Sequence, residues 1–200
     1  PSLNNNSLNK NYINISDILD RKISKLENDI KNTDDDEYSE DIEFISYKDI
    51  GIIIHNMLEY FDFDKYKKEN DKYLEKIKSY IIKSNNHYNK EQLIESLNTA
   101  FKKLFENKHI QNILLGEEEI VSREHTFQHY DDKKMITGKI DIITKNKNNE
   151  YFILDYKTSE QSEYNINKYQ YQLNNYKYMF QKVFNNIDKD KTKTDIIFLK

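Results

Sequence analysis

Two hundred residues are enough for one domain with a sizeable core, or for one domain and an extension. The hydrophobic fraction is 36% against 33% charged residues, so the 16 Tyr and 10 Phe must supply much of the buried area. A net charge of −4 argues against a nonspecific DNA-coating protein, zero Cys excludes disulfides, thiolate zinc sites and cysteine-ligated iron–sulfur clusters, and 3 Gly with 1 Pro disfavour a turn-dense all-β fold.

The acidic balance still leaves room for a local nucleic-acid groove beside an acidic metal site. No apolar run approaches a membrane span and no signal peptide is visible, so no membrane partner and a cytoplasmic location are expected. The excess of Lys, Asn, Ile and Tyr reads as an AT-rich coding bias, and part of the lysine content therefore carries no functional message. The chain opens on Pro1 and stops at Lys200 directly after an apolar pair, which is expected of a piece of a longer protein.

Residues 1–12 are rich in Asn, Ser and Lys and are expected to be poorly ordered. Ile13, Ile15, Ile18, Leu19, Ile23 and Leu26, with Ser16 as cap, read as an amphipathic helix. Residues 28–43, centred on Asp34, Asp35, Asp36 and Glu37, form a charge run without periodicity. A solvated linker is the simpler reading, and an acidic arm lying in a DNA groove the sharper one. Residues 1–45 are thus expected as an extension with one short helix and an acidic linker, and residues 46–200 as the principal domain.

Ile50, Ile54, Met57, Leu58 and Phe61 make an apolar helical stripe with His55 at its edge. An imidazole there serves either as a satisfied core group or as a ligand, while Glu59 is expected to face solvent. Residues 62–115 read as a helical insertion with little chemistry. Tyr73, Leu74, Ile77, Ile81 and Ile82 form one stripe; Leu93, Leu97, Phe101, Leu104 and Phe105 form another, with Asn89 and Gln92 placed as a capping box. The lysines here, among them Lys65, Lys67 and Lys68, make an ordinary solvated face or meet a DNA backbone.

Residues 119–130 have β character, with Ile120, Val121, Thr126 and Phe127 interleaved among polar residues that include Arg123 and Glu124. Nothing in the spacing of His125 or His129 selects them as ligands. Residues 135–144 and the run from Tyr151 read as two strands joined by an Asn-rich turn. Alternation puts Asp155 and Lys157 on one face and Tyr156 on the other. A hairpin folded about Asn148 sets Asp141 directly opposite Asp155. Two facing carboxylates repel, and burying them unpaired is costly. A divalent cation removes that cost, and an ammonium two residues along reaches what the cation holds: equipment for phosphodiester hydrolysis. The plainer reading is a surface hairpin with a solvated Asp155–Lys157 pair.

A polar loop over residues 159–164 then leads into a long amphipathic helix defined by Ile166, Tyr169, Leu173, Tyr176, Phe180 and Val183. Gln172 and Tyr176, four residues apart, share one face of it. A last strand is expected over residues 194–199.

The pattern Gly138-x-Ile140-Asp141 followed by a hydrophobic run closing in Asp155-Tyr156-Lys157-Thr158 resembles the PD-(D/E)XK nuclease superfamily. Its wording is similar to the RecB-like branch, and particularly to the C-terminal nuclease domain of AddA-type helicase–nucleases of the UvrD/Rep family. Ile140-Asp141 stands where the superfamily name has Pro-Asp. Gly51-x-x-x-His55-x-x-Leu58-Glu59 resembles the motif whose His gives the metal a nitrogen ligand. Arg123-Glu124-x-x-Phe127 and Gln172-x-x-x-Tyr176 match two more motifs of that branch, and all stand in the family's order.

The resemblance implies an α/β fold: a restriction-endonuclease-like mixed central sheet flanked by helices, with a helical N-terminal part. It implies Mg²⁺ or Mn²⁺ held by His55, Asp141, Asp155 and the backbone carbonyl of Tyr156, with Lys157 as the catalytic ammonium beside Asp141 and Asp155. Glu124 is implied as an auxiliary acid, and Gln172 and Tyr176 as groups that orient DNA. The implied partner is DNA, at a single-stranded end, with fusion to an N-terminal helicase and a second nuclease subunit; the role is end resection in recombinational repair, by an exonuclease more than an endonuclease. No iron–sulfur cluster is expected, and no ATP site, since no Walker A motif is present. The alternatives are a stand-alone RecB-like exonuclease, or a DNA-binding or structural module that does not cut.

Overall fold

The computed structural model describes residues 43–131, 134–184 and 187–200. The helix expected over residues 13–26 and all but the last residue of the acidic run lie outside them.

Among the described residues, five helices precede the sheet. Ser46 Oγ accepts the Asp49 N–H at 3.1 Å and starts α1 (Tyr47–Glu59), which buries Ile50, Ile54 and Leu58 as its stripe requires. Phe61 follows the helix and is buried against Phe63, Tyr73 and Phe101. Next come α2 (Phe63–Glu69), α3 (Asp71–Ser84), α4 (Lys90–Glu106) and α5 (Lys108–Leu115). α3 buries Tyr73, Leu74, Ile77 and Ile81, and α4 buries Leu93, Leu97, Ala100, Phe101 and Leu104. α5 ends at Gly116, whose φ of 74° is the left-handed cap that closes a helix without a Cβ penalty.

The capping box of α4 forms by half. Asn89 Oδ1 accepts the Gln92 N–H at 2.9 Å, but the Gln92 amide does not return to Asn89. It pairs instead with both backbone groups of Ile45, each at 3.0 Å. An extended segment offers an amide its donor and acceptor together, whereas a box offers only a donor.

Four strands follow: β1 (Glu118–Asp131), β2 (Lys134–Asn146), β3 (Tyr151–Lys157) and, after α6 (Glu163–Val183) and a short 3₁₀ turn, β4 (Thr192–Phe198). Their order is β1-β2-β3-β4, with the first two pairings antiparallel and β3–β4 parallel. In the β2–β3 turn Asn149 takes a φ of 58°, and Asn146 Oδ1 accepts the N–H groups of Asn148 and Glu150.

The sheet lies between two apolar layers. Ile142, Leu154, Tyr156 and Ile197 join the core of α1 to α5; Ile143 and Ile153 join Leu173, Met179 and Phe180 of α6. This is the mixed α/β arrangement expected, with six α-helices among the described residues. The stripe of α6 is shorter than expected, because Ile166 and Val183 are exposed. A helix of 21 residues is about 31 Å long and outruns β3 and β4, of 7 residues each and about 23 Å long.

Candidate active site

β3 pairs with β4 over its whole length, Tyr151↔Thr192 to Lys157↔Phe198, but with β2 only as far as Ile142↔Leu154. One more step in that register would set Asp141 opposite Asp155, as a hairpin about Asn148 requires. The ladder stops there instead. Asp141 Oδ2 accepts the Tyr156 N–H at 2.7 Å, taking the place of a strand neighbour. The two strands therefore part at the two carboxylates, and the fork is the centre of the candidate site.

Asp155 is buried, and burial first and the Asp141 charge second push its carboxyl up to about 6, against the pull of Lys157. The Lys157 ammonium is ion-paired with Asp155 through Oδ2, the buried oxygen of that carboxylate. The same ammonium lies 4.9 Å from the centre of the Tyr169 ring. From the other side His55 Nδ1 stands 3.7 Å from Asp141 Oδ2, its ring edge-on to Tyr156 at 6.1 Å. Burial pulls the His55 pKa down, but hydrogen bonding and charge from Asp141 outweigh it and hold the imidazole above its ordinary value. His55, Asp141, Asp155 and Lys157 thus come together from three elements, α1, β2 and β3, the first far from the other two in the chain.

Two close backbone approaches set this geometry. A Cβ on Gly51 would lie 2.9 Å from Thr158 Oγ1, so the missing side chain lets α1 close on the end of β3. A Cβ on Gly138 would lie 2.8 Å from Tyr176 Cε1, so the Tyr176 ring rests directly on β2, three residues before Asp141. Gln172 Nε2 donates to the Tyr176 hydroxyl at 2.7 Å, and the two side chains do point together. Arg123 anchors the far end of α1: its Nη1 donates to the Phe61 carbonyl at 2.6 Å and to those of Leu58 and Glu59 at 3.3 Å. Sequence reading found His55 but missed what Arg123 and the two glycines do, because their partners lie 38 to 107 residues away and leave no local pattern.

Glu124 falls between the pairs Arg123↔Ile142 and His125↔Ile140, level with Asp141, and its φ of 49° marks a local break in the strand. Its carboxylate is ion-paired with Lys139. His125 is drawn elsewhere: it packs edge-on against Phe127 at 4.8 Å, and burial lowers its pKa.

As these side chains stand, no three His, Asp or Glu groups among the described residues enclose a metal position. The donor set still fits a hard divalent cation. Two carboxylates and an imidazole meet at one fork, all oxygen and nitrogen donors, and the one cation among them, the Lys157 ammonium, sits on the buried oxygen of Asp155 where a divalent ion would otherwise offset the charge. A family model described as the PD-(D/E)XK nuclease superfamily matches residues 27–199. Among curated proteins no match was found.

Proposed function

The chain belongs to the PD-(D/E)XK nuclease superfamily, and we propose that it is a divalent-metal-dependent deoxyribonuclease whose active site is the fork between β2 and β3. Nucleases of this superfamily generally use divalent metals, and DNA is the substrate the fold implies. The observation that carries the reading is the meeting of Asp141, Asp155 and Lys157 where the two strands part.

In this reading His55, Asp141, Asp155 and the Tyr156 carbonyl hold Mg²⁺ or Mn²⁺. The cation supplies Lewis acidity, lowering the pKa of a water and offsetting charge on the phosphoryl group. Lys157 turns from Asp155 toward the scissile phosphate, orients the attacking water and stabilises the negative charge that develops. The Tyr169 ring limits where that ammonium goes. Gln172 and Tyr176 orient the DNA backbone, and Glu124 keeps Lys139 beside the site.

The order of the motifs favours the RecB-like branch, and within it the nuclease domain of an AddA-type helicase–nuclease that resects broken ends for recombinational repair, as an exonuclease. Residues 46–200 would then be the nuclease domain, 62–115 its helical insertion and 1–45 the extension that precedes it. A stand-alone RecB-like exonuclease would use the same residues.

The test is cleavage of end-labelled single-stranded DNA with Mg²⁺ or Mn²⁺, beside the same reaction in EDTA. Metal-dependent cleavage is expected, and Asp155→Ala or Lys157→Ala should abolish it while the far-UV circular dichroism stays unchanged. Normal cleavage by either purified variant would sink the assignment. Absence of both cleavage and metal binding in the wild type would favour a module that does not cut.

A further inference from the structure

α6 carries five tyrosines in fifteen residues, and they divide between two faces. Tyr169 and Tyr176 turn to the fork and to β2, while Tyr164, Tyr171 and Tyr178 are 76%, 74% and 48% exposed. The three outward rings recur every seven residues. At 100° per residue, Lys168, Asn175 and Lys182 fall on the same line, so the exposed stripe reads Tyr164, Lys168, Tyr171, Asn175, Tyr178, Lys182. All six side chains are exposed and no Asp or Glu stands on the line. A soluble helix face is ordinarily filled with charge; three bare tyrosines in register make an aromatic surface that asks for an occupant.

We propose that this stripe is a track for single-stranded DNA leading to or from the fork. Three features select that occupant. Flat rings interleaved with two ammonium groups and the Asn175 amide match unstacked bases alternating with phosphates, and a duplex hides the base faces that such rings need. The stripe is basic in a chain of net charge −4, so its cations are local to it. It also adjoins the proposed site: Gln172, Tyr176 and Tyr169 lie about 80° to 140° round the same helix, and the N-terminal half of that helix sets Tyr169 against Lys157. The stripe runs about 27 Å along the axis, with rings about 10 Å apart, room for several nucleotides beyond the scissile one. Lys182 already lies 5.3 Å from the Tyr178 ring centre, placing a cation at the ring face where a phosphate would follow a stacked base.

The inference deepens the nuclease reading and rests on it for the direction of the strand, so the test separates the two. Binding of a 5′-fluorescein-labelled fifteen-nucleotide oligothymidylate is measured by anisotropy in EDTA for three forms of the full chain: wild type, Tyr164→Ala/Tyr171→Ala/Tyr178→Ala, and the corresponding triple Phe variant. In parallel, Mn²⁺-dependent hydrolysis of the p-nitrophenyl ester of thymidine 5′-phosphate, too small to reach the stripe, reads the fork alone.

The triple Ala variant should bind the oligonucleotide at least about tenfold more weakly, the triple Phe variant within about twofold of wild type, and all three should hydrolyse the ester equally. An oligothymidylate affinity unchanged by the triple Ala substitution, or absent in the wild type, overturns the track. So does an equal loss in the Phe variant, since stacking needs the ring and not the hydroxyl, or equal competition by a fifteen-base-pair duplex. A wild-type dimer that the Ala variant dissociates without loss of DNA affinity would make the stripe a self-association surface instead. Failure of the wild type to hydrolyse the ester counts against the nuclease reading, and the binding comparison still decides the track.

Discussion

Asp155 is held by the fold at a cost in stability. Burial and Asp141 push its carboxyl up to about 6, and His55 is likewise held above its ordinary value. A folded-state pKa above the unfolded one means that the group's contribution is fully present below the unfolded pKa and is lost as pH rises through the folded value. In EDTA, urea denaturation of the wild type against Asp155→Asn should therefore show the wild type losing, relative to the variant, on the order of 2 kcal/mol between about pH 4 and pH 7. Millimolar Mg²⁺ should remove that difference or reverse it, because cation and protons compete for the same oxygens and nitrogen. A pH-independent difference in EDTA would show that the carboxylate is not strained by its surroundings.

Between elements, the site depends on how closely α1 and α6 approach the strands. Gly138→Ala places a methyl 2.8 Å from Tyr176 Cε1. Overpacking of this kind costs about 1–3 kcal/mol, and displacing Tyr176 should lower kcat. Adding Tyr176→Ala relieves the clash, so a double-mutant cycle should return a positive coupling, and additive losses would mean that the ring does not rest on β2 in solution. At Gly51 the obstacle is Thr158 Oγ1, at 2.9 Å from the added Cβ. Gly51→Ala should weaken Mn²⁺ binding in calorimetry by tilting His55 from the fork, and Thr158→Ala in the same chain should restore it. Restoration is the informative result, because a helix that merely dislikes the substitution would not respond to Thr158.

Across the whole molecule, a buried polar network away from the fork ties the layers together. His109 Nδ1 meets Glu118 Oε1 at 2.9 Å, its Nε2 stands 3.4 Å from Asp195 Oδ2, and Glu118 also accepts from Asn112 at 2.8 Å and Thr144 at 2.7 Å. One carboxylate thus joins α5 to β1 and β2, and one imidazole carries the link to β4. Burial pushes Asp195 up, but the His109 hydrogen bond and the Ile196 N–H outweigh it and hold the group below its ordinary range. Glu118→Ala strands two buried polar partners, His109 and Thr144, together with half-buried Asn112, and should cost about 3–5 kcal/mol in urea denaturation. Ester hydrolysis by the fraction still folded at low temperature should keep the wild-type kcat, because no residue of the network enters the fork. A loss of kcat matching the loss of stability would mean that the two ends of the sheet are coupled.

The amino-acid sequence by itself determined the elements, the β2–β3 register and the motif series that marks His55, Asp141, Asp155 and Lys157. These follow from periodicities of 3.6 and 2 and from turn chemistry, all of which act over a few residues. It also bounded the cofactor class, since a sequence without Cys offers no thiolate for zinc or an iron–sulfur cluster. Only the tertiary structure decided that β2 leaves β3 at the carboxylates, that Gly51 and Gly138 are points of contact, and that Arg123 holds the end of α1. Each depends on a partner far along the chain, whose distance is set by packing and not by spacing. The tyrosines of α6 mark the boundary most clearly. Helical spacing already set Tyr169 and Tyr176 on the apolar stripe apart from the other three, but only the layer beneath the helix determined that Tyr169 meets the Lys157 ammonium and Tyr176 the backbone of β2.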